Sequence, residues 1–227
     1  MTNPTPLLLL HGALGSREQM APLEQLLATH RDVHILNLYG HGGEPIPSHG
    51  YRMSDIVAHL VQTLQTQFTG PVDIFGYSMG GYAAAVVAAH HPGLIRSLVT
   101  LGTKWAWSPE IAAGELRMLD PALMQEKAPA LIALISARHA PQSWSDVVAA
   151  TRLLLEDLGH QPLLTEQALQ QINIPVTILR GEADRMVSQE ESLNAAGMIP
   201  HATYTELPGQ KHPFEQVDLL CLPSYLA

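Results

Sequence analysis

Val72-Asp73-Ile74-Phe75-Gly76-Tyr77-Ser78-Met79-Gly80-Gly81-Tyr82, running on into Ala83-Ala84-Ala85-Val86-Val87-Ala88-Ala89-His90, is the stretch that decides the fold. Pro71 introduces an apolar run, Val72 to Phe75, that reads as a buried strand. The alanine-rich run from Met79 to His90 reads as a helix. Between them stands Gly-x-Ser-x-Gly, whose small residues let the backbone turn tightly and leave the Ser78 hydroxyl exposed above the strand end. A glycine-rich turn that only packs helix onto sheet is the alternative reading.

The same unit recurs on either side. Leu7 to Leu10 reads as a fully buried parallel strand ending at His11-Gly12. Ser16 and Gln19 then suggest a capping box that opens a helix through Met20, Leu23, Leu26 and Leu27. Further strands are expected at Val33 to Leu38, Ile95 to Leu101, Val176 to Leu179 and Thr203 to Leu207. Helices are expected from about Ser54 to Gln67 and from about Pro213 to the end. Alternating strands and helices with short turns imply an α/β protein with a parallel sheet of about six strands, covered by helices on both faces. From about Gly102 to Asn173 the alternation stops, and the chain reads as several helices broken at Pro109, Pro121, Pro129, Pro141 and Pro162. Residues 1–102 and 174–227 are therefore expected to form one core domain, with 103–173 inserted as a helical lid.

Composition narrows the function. The 227 residues are 46% apolar and 15% charged, which excludes a disordered chain, and a core plus an insertion fits this length. The net charge of -9 and three scattered lysines, Lys104, Lys127 and Lys211, give no basic stripe for nucleic acid. The single cysteine, Cys221, can form no intramolecular disulfide. No basic leader or apolar run of about 20 residues is seen, so a soluble, cytoplasmic protein without a membrane partner is expected, as a monomer or homodimer. Twelve histidines raise the question of a metal, but none has a recognisable ligand spacing, and no metal or cofactor is expected.

A serine hydroxyl is a weak nucleophile and needs a base held by a carboxylate. Both must lie at the carboxyl ends of strands, where a parallel sheet binds ligands. Asp184 follows one predicted strand in Arg180-Gly181-Glu182-Ala183-Asp184, and His212 follows the next in Pro208-Gly209-Gln210-Lys211-His212. Glu182 is an alternative acid, while His11 and His41 are alternative bases.

Taken together these motifs resemble the α/β-hydrolase superfamily across essentially the whole chain. The carriers are His11-Gly12, Gly40-His41-Gly42, Gly76 to Gly80, Gly181 with Asp184, and Gly209 with His212, in the family's order. The resemblance implies Ser78 as nucleophile, His212 as general base and then acid, and Asp184 as the carboxylate that fixes the His212 tautomer. It also implies an oxyanion hole from the backbone N–H groups of Ala13 and Met79, the latter at a helix N-terminus, with His11 shaping that turn.

The insertion should roof the pocket. Its five basic residues, Lys104, Arg117, Lys127, Arg138 and Arg152, face eight acidic ones and form no cradle for a polyanion. Trp105, Trp107 and Trp144 suggest an apolar roof, each with the alternative of anchoring the insertion to the core. His11, Leu14, Tyr77, Trp105, Trp107, Arg138 and Trp144 are the expected pocket residues. A serine hydrolase acting on a small, largely apolar ester is the leading expectation. Carbon–carbon hydrolases and the lyase of menaquinone biosynthesis share the scaffold and would use Arg138-His139 on an acidic substrate. That lyase usually carries an arginine where this chain has Tyr82. A ligand sensor retaining the triad is the third expectation.

Overall fold

Four successive leucines, Leu7–Leu10, form strand β1 and are buried on both faces. Their alternation divides them: Leu8 and Leu10 join one apolar cluster, Leu7 and Leu9 the other. The computed structural model describes residues 5–48 and 50–226. With β1, the strands β2 (Val33–Leu36), β3 (Val72–Tyr77), β4 (Ile95–Leu101), β5 (Val176–Gly181) and β6 (Ala202–Leu207) make one six-stranded sheet in the order β2-β1-β3-β4-β5-β6. Every neighbouring pair is parallel. The chain goes from β1 outward to β2, then returns to place β3 on the other side of β1. That reversal leaves a crevice at the carboxyl ends of β1 and β3, where open parallel sheets bind ligands.

Helices α2 (Met53–Gln67), α3 (Met79–His90) and α9 (Gln189–Met198) bury their apolar residues in the first cluster, and α1 (Arg17–Leu27) buries its own in the second. Helix α3 is buried all round except at His90, which explains its glycine and alanine content. A Cβ on Gly76 would lie 2.5 Å from the Gly81 Cα, so helix and strand meet backbone to backbone. At the opposite rim, the buried Asp73 carboxylate accepts hydrogen bonds from Arg31, Arg96 and Ser97, which answers the cost of burying a charge.

Between β4 and β5 run α4 (Pro109–Met118), α5 (Pro121–Lys127), α6 (Pro129–His139), α7 (Trp144–His160) and α8 (Glu166–Gln170). Pro109, Pro121 and Pro129, read as breaks, each occupy the first helical position, where a missing N–H costs nothing. Leu154 and Leu158 of α7 and Leu169 of α8 pack in the main core, while Met124, Ile135 and Val147 form a small cluster of their own with Leu14.

Two local expectations fail. The Ser16 hydroxyl makes no capping bond, because it donates to Glu18 while the Gln19 amide reaches across to Glu215. The end of the chain is not one helix. Two 3₁₀ turns, Phe214–Gln216 and Leu219–Cys221, precede the short α10 (Pro223–Leu226). Phe214, Val217, Leu222 and Leu226 are buried at spacings of three, five and four residues, which no single helix face supplies.

Candidate active site

Gly76, Gly80 and the three residues between them, Tyr77, Ser78 and Met79, set the turn from β3 into α3. Ser78 sits at φ +50°, a conformation that costs a non-glycine residue about 1–3 kcal/mol and persists only where the surroundings enforce it. The surroundings are specific. Ser78 N–H donates to the Leu101 carbonyl at 2.8 Å, and its own carbonyl accepts from Gly81 and Tyr82 N–H and the Thr103 hydroxyl. A Cβ on Gly80 would lie 2.6 Å from the His11 carbonyl, so α3 starts hard against the end of β1.

Beyond the end of β1, Gly15 N–H closes a tight turn onto the Gly12 carbonyl at 3.1 Å, with Leu14 at φ +59°. Ala13 and Met79 N–H, from this turn and the first residue of α3, have no hydrogen-bond partner among the described residues. Both residues and Ser78 line one cavity of about 300 Å³.

Asp184 and His212, predicted from separate loops, meet. His212 Nδ1 lies 2.8 Å from Asp184 Oδ2, and Asp184 Oδ1 accepts from Met186 N–H at 2.8 Å and Val187 N–H at 3.0 Å. Burial acts to raise the Asp184 pKa, but the bonds from His212, Val187 and Met186 outweigh it and hold the carboxyl below its ordinary value. The carboxylate is thus ionised at neutral pH, and His212 must carry its proton on Nδ1. His212 lines the same cavity as Ser78. No hydrogen bond joins Ser78 Oγ to His212 among the described residues; such contacts commonly tighten only when substrate is bound.

Sequence reading missed the bracing of this pair. Arg180, buried at the end of β5, donates to the Asp184 and Val187 carbonyls at 3.0 and 2.8 Å. Tyr77 donates its hydroxyl to the His212 carbonyl at 2.8 Å, and the rings are 5.5 Å apart. Gly102, at φ +59°, leaves the space that the pair fills: a Cβ there would lie 3.2 Å from His212 Nδ1 and 3.3 Å from Asp184 Oδ2. Gly102→Ala should therefore lower kcat about 10- to 100-fold by displacing the pair. Left-handed strain should also cost about 1–2 kcal/mol. Thermal melting and a turnover assay read the two effects separately, and an unchanged kcat would remove Gly102 as the wall of the pair.

The expected pocket residues divide. Leu14, Tyr77, Trp107 and Arg138 line the cavity, whereas His11, Trp105 and Trp144 do not. His11 is wholly buried behind the turn. Its Nδ1 lies 2.8 Å from the Gly12 carbonyl and its Nε2 accepts from Leu38 N–H at 3.0 Å, so it shapes the turn and takes no proton from Ser78. Trp105 is buried in the main core, and Trp144 packs on the insertion's own cluster. Glu182, the alternative acid, is exposed and accepts from Gly209 N–H. His41 is buried beside His11 and does not line the cavity.

Most of the wall is apolar, with Met53, Met118, Leu119, Leu131, Leu134, Leu155, Leu158 and Met186 contributing. The two cations in it are already paired. Arg138 meets Glu215 at 2.6 Å, and Lys104 donates to the Met186 carbonyl at 2.6 Å with Glu115 at 3.5 Å and Glu191 at 3.8 Å. Tyr82 accepts the N–H groups of Leu163 and Leu164 at 3.0 Å each, tying the chain after α7 to α3. Among the described residues no helix is long and apolar enough to cross a membrane, and no group of three or more His, Cys, Asp or Glu side chains is placed to hold a metal ion.

Residues 5–157 match the model of the alpha/beta hydrolase fold family, and the chain belongs to that family. It is an enzyme of this superfamily, with a hydrolase or lyase role. A 2-succinyl-6-hydroxy-2,4-cyclohexadiene-1-carboxylate synthase of Yersinia pseudotuberculosis is 31% identical over 200 residues, covering 79% of this chain and 72% of that one. A 2-(acetamidomethylene)succinate hydrolase of Mesorhizobium japonicum is 24% identical over 230 residues, covering 93% and 82%. Among solved structures, the enol-lactonase from Burkholderia xenovorans LB400 superposes with a TM-score of 0.76 at 19% identity, covering 99% of this chain and 92% of that chain, a likeness of fold alone.

Proposed function

We propose that the protein is a serine hydrolase that cleaves a small, largely apolar carboxylic ester through an acyl-enzyme on Ser78. Ser78 Oγ attacks the ester carbonyl while His212 Nε2 takes its proton. The oxyanion that forms is received by the N–H groups of Ala13 and Met79, each such donor being worth about 3–4 kcal/mol of barrier in comparable enzymes. His212 returns the proton to the departing alcohol. Water then repeats the sequence on the acyl-enzyme, and Asp184 keeps the Nδ1 proton in place throughout. The insertion, residues 103–173, serves as the lid.

The observation that carries this reading is the wall around Ser78, mostly apolar, in which the two cations, Arg138 and Lys104, already face carboxylates of Glu215, Glu115 and Glu191. A substrate carboxylate would have to displace Glu215 from Arg138, whereas an alkyl acyl group can lie against the methionine and leucine side chains that make up much of the wall.

A fluorophosphonate should label the wild-type protein and fail to label Ser78→Ala. In a panel of p-nitrophenyl esters, butyrate should be turned over faster than the hemisuccinate. Two relatives are named for succinate-derived compounds, and both cavity cations could meet an acid. This favours a second reading, hydrolysis or elimination on a carboxylate-bearing substrate. Preference for the hemisuccinate in the panel would establish it over the first. Absence of labelling would remove both.

A further inference from the structure

Arg138 and His139 are neighbours at the end of α6, yet they serve different places. Arg138 faces the cavity, while His139 is buried behind the turn that follows β1. The His139 ring holds two backbone groups from two other segments. Nδ1 accepts the Gly42 N–H at 2.8 Å, and Nε2 lies 3.1 Å from the Leu14 carbonyl. Since Nδ1 accepts, the neutral ring carries its proton on Nε2, and that proton is donated to Leu14.

Leu14 is where such a hold is needed. It occupies the position of a four-residue turn at which φ is positive, +59°, a place that glycine fills without strain and a branched side chain does not. The turn bond from Gly15 N–H and the His11 ring both act on the Gly12 carbonyl. Only His139, among the described residues, holds the carbonyl of Leu14. One peptide before Leu14 is the Ala13 N–H assigned to the oxyanion.

We propose that His139 is a positioning residue of the oxyanion hole: by donating to the Leu14 carbonyl and accepting from Gly42, it fixes the left-handed turn that aims the Ala13 N–H. The helical insertion thereby shapes the hole from behind as well as roofing the pocket. The inference rests on the reading of Ser78 and Ala13 given above and goes beyond it by assigning an insertion residue to the rate of the chemical step.

Two conservative variants separate the two bonds. In His139→Gln the amide nitrogen reaches the place of Nε2 and can still donate to Leu14. In His139→Asn the shorter amide occupies the place of Nδ1, so it can accept from Gly42 but does not reach Leu14. With p-nitrophenyl butyrate, His139→Asn should lose about 100-fold in kcat with KM changed less than about threefold, the signature of an interaction used in the transition state. His139→Gln should stay within about tenfold of wild type. Hydrogen exchange over residues 11–15 should quicken in His139→Asn and stay protected in His139→Gln.

Equal kcat in the two variants, the reverse order, or a loss expressed in KM alone would overturn the proposal, as would failure of both variants to fold, which would make His139 a packing residue. Fluorophosphonate labelling of the wild type tests the hydrolase reading independently. If it fails while the exchange pattern holds, the turn is set by His139 and the chemistry assigned to it is wrong.

Discussion

Asp184→Asn should lower kcat on p-nitrophenyl esters about 10⁴-fold with little change in KM. Two backbone donors already claim one carboxylate oxygen, Met186 N–H at 2.8 Å and Val187 N–H at 3.0 Å. An asparagine must keep its single oxygen there and turn its NH₂ group toward His212. That group can only donate, so His212 Nδ1 must become the acceptor and the ring proton moves to Nε2. Nε2 is then protonated where it must accept from Ser78, and the base is lost while the geometry survives. Glu182→Gln supplies the control, because Glu182 contacts Gly209 and not His212. A loss of similar size in Glu182→Gln, or less than tenfold in Asp184→Asn, would assign the acid elsewhere.

Acid should destabilise the protein across the window from about pH 6.5 down to about pH 4, beginning above the range in which ordinary carboxylates protonate. Burial lowers the pKa of His11 from 6.5 to about 4, and burial likewise lowers those of His41 and His139. The folded state holds these rings neutral while the unfolded chain protonates them near 6.5. The stability tied to them is therefore complete above pH 6.5 and is lost as pH falls through the window. For His11 alone a drop from 6.5 to about 4 corresponds to about 3 kcal/mol, a large part of a typical stability of about 5–15 kcal/mol. Urea unfolding at pH 7.5, 6, 5 and 4.5 measures it. His11→Gln, whose amide oxygen can still accept from Leu38 N–H, should flatten the curve. Equal unfolding free energies at pH 7.5 and pH 5 in the wild type would refute the argument.

Reading the sequence recovers what is decided locally. The strand leucines, the Gly76 to Gly81 turn and the order Ser78, Asp184, His212 all follow from short patterns and from the rule that parallel strands share one functional rim. What it missed is decided by where a side chain points after packing. Arg138 and His139 form one cationic pair on paper; a residue step of about 100° on a helix sends one to the cavity and the other to the back of the Leu14 turn. Trp105 and Trp107, in the irregular stretch between β4 and α4, also divide, one into the core and one to the cavity wall. The Ser16 cap failed because Glu18, two residues on, accepts its hydroxyl first. The carboxyl-terminal stretch resisted prediction because its buried residues follow the shape of the sheet they cover and obey no helical period.

The bonds made by His139 also bear on how this chain could be recombined. Its secondary structure invites a division at Gly102 and Asn173, as though the intervening helices were a cassette that relatives could trade. A graft cut there would discard the ring that grips Leu14 and Gly42 and would import a foreign one shaped to another turn. On the proposed role of His139 the unit of exchange is larger than the contiguous segment: residues 12–15, Gly42 and His139 would travel together, so that a chimaera keeps the new insertion in register with its turn.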